Sequence, residues 1–217
     1  MGPARERRRD VMFTKVCGLT RLTDALHAVK HGATAVGFVF WPKSPRFIAP
    51  ELAAGIIREL PGTVIAVGVF VNQPIDEITR IATQTGIAAI QLHGDEPPAY
   101  APALPWPVLR ATALDDANGS MVDWPADTLI LLDVHDPVRR GGTGRTIDWS
   151  RAAGIAAERR VVLAGGLTPE NVGAAIDAVR PYGVDVSSGV EEAPGVKDFD
   201  KVARFLENAR AAFERHL

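Results

Sequence analysis

At 217 residues, 47% hydrophobic and 23% charged, the chain is long enough to bury one substantial core within a single domain. The formal charge is −2; residues 1–10 carry four arginines against two acids, so the remainder stands at −4, which argues against nucleic acid as a partner. No apolar stretch approaches the ~18 residues needed to span a bilayer, residues 1–10 lack a signal-like apolar region, and the single cysteine excludes an intrachain disulfide, so a cytoplasmic protein with no membrane partner is expected.

Residues 1–12, with Arg5, Arg7, Arg8 and Arg9, read as a disordered basic extension. From Phe13 one rhythm repeats: a short β-rich run, a polar turn, then apolar residues at a period near 3.6. Phe13–Cys17 is the first predicted strand, and Leu22, Leu26 and Val29 form a helical face that stops at Gly32. Ala35–Phe40, the second strand, runs into a loop whose Pro42 and Pro45 bias Trp41 and Ser44 toward extended backbone, so Arg46 at its end is held in place. Pro50 opens a helix with Leu52, Ile56, Ile57 and Leu60 inward, and Val64–Val71 is a nearly continuous apolar run of the kind buried on both faces. Ile75, Ile78 and Ile81 make the next helical face, and Ile87–Leu92 is the fourth strand, followed by His93-Gly94. Pro107–Thr112 is a weaker fifth strand, residues 115–127 a poor helix, and Thr128–Asp133 a clear sixth strand. Asp148 caps a helix through Ala157, and Arg160–Ala164 is strand seven before Gly165-Gly166. Thr168-Pro169-Glu170 starts the next helix with a hydroxyl cap, a proline and an acid. Val184–Ser187 is strand eight, and Asp198 begins a last helix with Val202, Phe205, Leu206, Ala209 and Phe213 inward.

Eight strand–helix units of uniform composition predict an α/β fold, a single (β/α)8 TIM barrel over residues 13–217. An open doubly wound sheet would carry its phosphate glycines after the first strand, and here they come late. The reactive groups of such a barrel gather at the carboxyl ends of its strands. Those ends hold Cys17, Arg46, His93, Asp133, Gly165-Gly166 and Ser187-Ser188-Gly189. The last two loops follow strands seven and eight, where barrels hold a phosphate on backbone N–H groups and a helix N-terminus. Arg46 either presents its flat fork of donors to an anion or is a surface arginine in a turn. Cys17 is either an exposed, ionisable thiol or a small buried hydrophobe. Lys15 shares its barrel-facing side and favours thiolate unless an ion pair with Asp185 on the eighth strand neutralises it. Asp133 is a proton-donating acid or a cap for the loop that follows, and His93 lines a pocket or bonds its own turn. Gly141-Gly142-Thr143-Gly144 folds over a ligand or is mobile; it lacks the Gly-Lys-Ser/Thr ending of a triphosphate loop, and no Cys/His cluster suggests a metal.

Six motifs appear in order along residues 13–207: Lys15-Val-Cys-Gly-Leu-Thr20, Ser44-Pro-Arg46, Gln91-Leu-His-Gly-Asp-Glu96, Leu132-Asp133 with Gly141-Gly-Thr-Gly144, Ala164-Gly-Gly-Leu-Thr-Pro-Glu-Asn171 and Val184-Asp-Val-Ser-Ser-Gly-Val-Glu191. Together they resemble phosphoribosylanthranilate isomerase. The resemblance implies the Amadori rearrangement of N-(5-phosphoribosyl)anthranilate to 1-(2-carboxyphenylamino)-1-deoxyribulose 5-phosphate. That is an aldose–ketose isomerisation of tryptophan biosynthesis, with no cofactor and no metal. It further implies Cys17 as general base, Asp133 as general acid, Arg46 on the anthranilate end, and His93 and Asp185 lining the pocket. Gly165, Gly166, Ser187, Ser188 and Gly189 would take the phosphate. The expected partner is a small phosphosugar, with the chain a monomer or a homodimer. Two rivals would keep the phosphate loops: another phosphosugar barrel enzyme with a different acid–base set, and a non-catalytic phosphosugar sensor, which has no use for a thiol opposite a carboxylic acid.

Overall fold

Eight parallel strands form a closed barrel in the order they occupy along the chain. They are β1 (Phe13–Val16), β2 (Ala35–Val39), β3 (Ile65–Phe70), β4 (Ala89–Leu92), β5 (Val108–Ala113), β6 (Leu129–Asp133), β7 (Val161–Ala164) and β8 (Gly183–Val186). The computed structural model describes residues 12–114, 123–133 and 149–217. In it β1 pairs with both β2 and β8, which closes the ring. Helices α1 (Leu22–Lys30), α2 (Pro50–Arg58), α3 (Ile75–Thr85), α4 (Tyr100–Ala103), α5 (Trp149–Glu158), α6 (Val172–Val179) and α7 (Phe199–Glu214) accompany the strands. A two-stranded antiparallel hairpin, β9 (Glu191–Ala193) with β10 (Val196–Lys197), precedes α7.

Alternation along each strand divides the core in two. Phe13, Ala35, Val67, Ala89, Leu109, Leu131 and Val162 share one parity and form one apolar cluster inside the ring. Residues of the other parity, among them Val36, Ile90, Ile130 and Val184, pack against helical residues such as Ile78, Val172 and Phe205. Strands covered on both sides read as continuous apolar runs, which is why β3 and β6 are plain in the sequence. The barrel interior is the parity that emerges at the carboxyl ends as Cys17, Gln91, Asp133 and Asp185.

The inward faces expected for the first two helices are borne out in part: Ile56 is buried and Val29, Ile57 and Leu60 pack against the core, but three leucines are corrected. Leu22, Leu26 and Leu52 are exposed, Leu52 by 65%, while Asp24, Ala25 and Ala28 of α1 and Ala53 and Ile56 of α2 are buried. Alanine lets a helix approach the sheet closely, and Asp24 is buried because it has partners there, so Leu22, Leu26 and Leu52 lie off the buried stripe. The helix after β7 begins at Val172 rather than Thr168. Thr168 Oγ1 accepts the Glu170 N–H and Asn171 Oδ1 accepts the Thr168 N–H, so Thr168-Pro169-Glu170 is the turn ahead of the helix. Strand eight lies one residue earlier than expected. The expectations placed on residues 1–11, 115–122, Asp148 and Gly141–Gly144 fall outside the described residues. Among the described residues no helix is long and apolar enough to cross a membrane.

Candidate active site

Strand β1 delivers Lys15 and then, just past its end, Cys17 to the barrel interior. Neither would fit beside an ordinary residue on β2. A Cβ at Gly37 would lie 2.7 Å from Cys17 Sγ and 3.1 Å from Lys15 Nζ, so the bare glycine makes the space both side chains occupy. Lys15 Nζ donates to Asp185 Oδ1 at 3.0 Å, across the register that aligns the two residues on β1 and β8. The ion pair foreseen as a neutralising possibility is therefore formed. Burial would lower the Lys15 amine, but the Asp185 carboxylate and the neighbouring thiol hold it above its ordinary value. Cys17 is only 7% exposed, so the exposed reading of this thiol is corrected. Burial pushes it up, the Lys15 charge works against that, and the Asp185 carboxylate reinforces burial. The thiol is consequently the favoured form at neutral pH.

The loop after β2 is as rigid as its prolines predict. Phe47 bridges back to Val39, the Ile48 N–H donates to Val39 O at 3.0 Å, and Ser44 Oγ accepts the Arg46 N–H at 3.1 Å. The Arg46 stem passes directly over Gly18, whose φ is +75° and where a Cβ would come within 2.6 Å of Arg46 Cδ. Arg46 forms a two-armed ion pair with Glu191, Nε to Oε1 at 2.8 Å and Nη2 to Oε2 at 2.6 Å. That contact raises the guanidinium further. Glu191 also accepts from Lys197 Nζ at 2.8 Å, and Lys197 Nζ donates to Ser187 O at 3.1 Å.

Gln91 on β4 and His93 just past its end share the interior parity. The His93 N–H donates to Phe70 O, and its ring Nδ1 lies 3.1 Å from Gln91 Nε2. His93 meets solvent at the mouth of the barrel, yet its inner side is crowded by protein; burial lowers its pKa against the opposing pull of Asp133, so the ring is neutral at neutral pH. Both readings of His93 hold at once: it lines the pocket and takes part in its turn. Glu96 fixes that turn, accepting the Asn72 N–H at 2.7 Å, the Gly94 N–H at 2.8 Å and Arg110 Nη1 at 2.9 Å. Asp133 is the last residue of β6.

The two glycine loops face each other. Gly165 and Gly166 have φ of +85° and +63°, conformations that favour glycine. A Cβ on Gly189 would strike Leu167 O, so the loops after β7 and β8 are in backbone contact. Asn171 Nδ2 donates to Gly166 O at 2.9 Å and ties the first loop to the start of α6. Lys197 ties the second through Ser187 O.

One cavity of about 520 Å³ is lined by all ten residues singled out from the sequence: Cys17, Arg46, His93, Asp133, Gly165, Gly166, Asp185, Ser187, Ser188 and Gly189. Val39, Trp41, Val69 and Leu131 add an apolar wall. A larger cavity of about 700 Å³ lies at the opposite end of the barrel; apolar residues and prolines dominate its lining, with no facing acid and thiol, so chemistry belongs to the smaller one. Among the described residues no cluster of His, Cys, Asp and Glu is placed to hold a metal ion. Sequence reasoning quoted Gln91 and Glu191 within its motifs without giving them a role, and missed Lys197. Gln91 was findable by strand parity; Glu191 and Lys197 were not, since their partners are brought in by the hairpin.

Residues 14–208 match the family model described as N-(5'phosphoribosyl)anthranilate (PRA) isomerase. The N-(5'-phosphoribosyl)anthranilate isomerase of Pelobacter propionicus is 48% identical over 198 residues, covering 90% of this chain and 94% of the relative. That of Thermotoga maritima is 46% identical over 200 residues, covering 90% and 97%. A phosphoribosylanthranilate isomerase crystallised with reduced 1-(o-carboxyphenylamino)-1-deoxyribulose 5-phosphate superposes with a TM-score of 0.83 at 43% identity, covering 92% of this chain and 99% of that one. Monomers generated from the dimeric Thermotoga maritima enzyme superpose with a TM-score of 0.81 at 42% identity, covering 92% and 99%. With a closed eight-stranded barrel, a thiol and a carboxyl at the ends of β1 and β6, and identity approaching half over nine-tenths of its length, this chain belongs to the N-(5'-phosphoribosyl)anthranilate isomerase family.

Proposed function

We propose that this cavity carries out the Amadori rearrangement of N-(5'-phosphoribosyl)anthranilate with Cys17 as general base and Asp133 as general acid. The observation that carries the assignment is that both groups open into one cavity with the glycine loops and Arg46. Asp133 gives its proton to the furanose oxygen; the ring C–O bond breaks and the anthranilate nitrogen becomes an iminium. Cys17, as thiolate, takes the proton from the adjacent sugar carbon, and the C–H electron pair moves toward the iminium to give an enolamine. Tautomerisation then yields the aminoketose. The proton count closes and no electrons leave the substrate, so no redox co-reactant is needed. Lys15 keeps the thiolate within reach by opposing the effect of burial. Backbone N–H groups of Gly165, Gly166, Ser188 and Gly189, with the Ser187 side chain, take the phosphate, and Arg46 takes the ring carboxylate. His93 and Asp185 flank the sugar. The binding partner is thus a small phosphosugar.

Positioned proton transfer contributes about 10²–10⁴-fold, so Cys17→Ala and Asp133→Asn should each lower kcat by at least about 10²-fold while affinity for the reduced product analogue changes little. Steady-state kinetics and calorimetric binding test this together. Near-normal kcat in Cys17→Ala would remove the mechanism, and a wild type that binds the phosphosugar without turning it over would favour a sensor instead.

A further inference from the structure

Among the described residues Arg46 is the only arginine that lines the cavity, and behind it stands a carboxylate absent from that lining. The Glu191 side chain is buried, 6% exposed against 24% for that of Arg46, and engages the guanidinium side-on, through Nε and one hydrogen of Nη2. Side-on pairing leaves the end-on edge, Nη1 with the other Nη2 hydrogen, for a second carboxylate in the same plane. Nη1 has no hydrogen-bond partner among the described residues. Glu191 is itself fixed from three sides, by Arg46, by Lys197 Nζ at 2.8 Å and by the Gly195 N–H at 3.2 Å. Lys197 is anchored in turn, its backbone N–H donating to buried Asp24 Oδ2 at 2.9 Å. Charge points the same way. Arg46, Glu191 and Lys197 sum to one positive charge, which a single incoming carboxylate neutralises.

We infer that Glu191 is a positioning and specificity residue: it sets the plane of Arg46 so that the free edge of the guanidinium selects a ligand bearing an aromatic carboxylate. The inference rests on the assignment of Arg46 to that carboxylate, made above. Glu191 touches no substrate atom. Its effect is confined to one end of the ligand, which separates it from a merely structural carboxylate.

Two probes resolve the question: reduced 1-(o-carboxyphenylamino)-1-deoxyribulose 5-phosphate and its counterpart with an unsubstituted phenyl ring. Their dissociation constants are measured on wild type, Arg46→Ala, Glu191→Gln and Glu191→Gln/Lys197→Met. The double variant removes the buried ammonium that Glu191→Gln leaves short of a counter-charge, and so keeps the test open should the single variant not fold. Arg46→Ala should weaken the carboxylated probe at least about tenfold, the scale of one charged contact, and the counterpart hardly at all. Glu191→Gln should show the same selective loss, with KM for substrate rising more than kcat falls; the double variant, which also releases Ser187 O, should weaken both probes but the carboxylated one several-fold more. A selective Arg46→Ala with an unselective loss in both Glu191 variants overturns the role given to Glu191 alone. Tighter binding of the carboxylated probe in Glu191→Gln also overturns it, because Glu191 would then be occupying the seat of the ligand. Equal weakening of both probes by Arg46→Ala overturns the carboxylate assignment and this inference with it.

Discussion

Gly37 has no side chain to move a proton, yet the acid–base geometry proposed for Cys17 depends on that absence. Cys17 and Lys15 occupy the volume a methyl group would need, and both are hemmed in by β8 through Asp185. A methyl at 2.7 Å from sulfur must displace the thiol, because the backbone of β2 is pinned by parallel pairing on both sides. Misplacement of a reacting group by about 1 Å can cost 10²-fold, so Gly37→Ala should lower kcat by about that factor while circular dichroism and probe affinity stay near wild type. Unchanged kcat would mean that the thiol has more freedom than its packing indicates.

At the scale of elements, the β9–β10 hairpin joins the loops after β1 and β8 to the outer helices. Thr20 Oγ1 donates to Gly195 O at 2.6 Å, and Asp24 of α1 accepts the Lys197 N–H. Asp24→Ala leaves that buried N–H unpaired, so it should cost about 1–3 kcal/mol in denaturant unfolding. By contrast Leu26→Ser, on the face a hydrophobic pattern would bury, should change stability by less than about 0.5 kcal/mol. Equal costs would contradict the observed orientation of α1. The same contrast shows what was legible in the sequence. Strand order was, because doubly covered strands such as β3 and β6 are apolar throughout, and so were the strand-end groups, which follow from parity. The faces of α1 and α2 were legible only in part: Val29, Ile56 and Ile57 pack as read, but alanines and a paired aspartate take the places expected for Leu22, Leu26 and Leu52. The support behind Arg46 was hidden for another reason: it joins residues 145 positions apart, and Lys197 to Asp24 spans 173. No local pattern encodes such a meeting.

At the scale of the whole barrel, the acid and the thiol share one cavity at the carboxyl ends of the strands. Buried ionisable groups crowd the carboxyl end, and their proton affinities make stability depend on pH. The Cys17 thiol has a raised pKa in the folded chain, so its contribution is fully present below the ordinary thiol value and is lost as pH climbs through the folded one. Lys15 is also raised and acts in the same direction at higher pH, whereas Lys197 is lowered and acts oppositely. Comparing wild type with Cys17→Ala isolates the thiol. From about pH 7 to about pH 10 the wild type should lose more unfolding free energy than the variant, read from urea midpoints at each pH. Parallel curves would refute the raised thiol. The Lys15–Asp185 contact has a further consequence, for the order of events as the chain is made. It joins the first strand to the last across 170 residues, and β8 also supplies the second glycine loop. A nascent chain that has released its first seven strands holds Lys15 without its counter-charge and the thiol without its neighbour. Competence for the reaction therefore arrives in one step, when the last strand docks against the first, and refolding experiments should see activity return with closure of that seam and never before it.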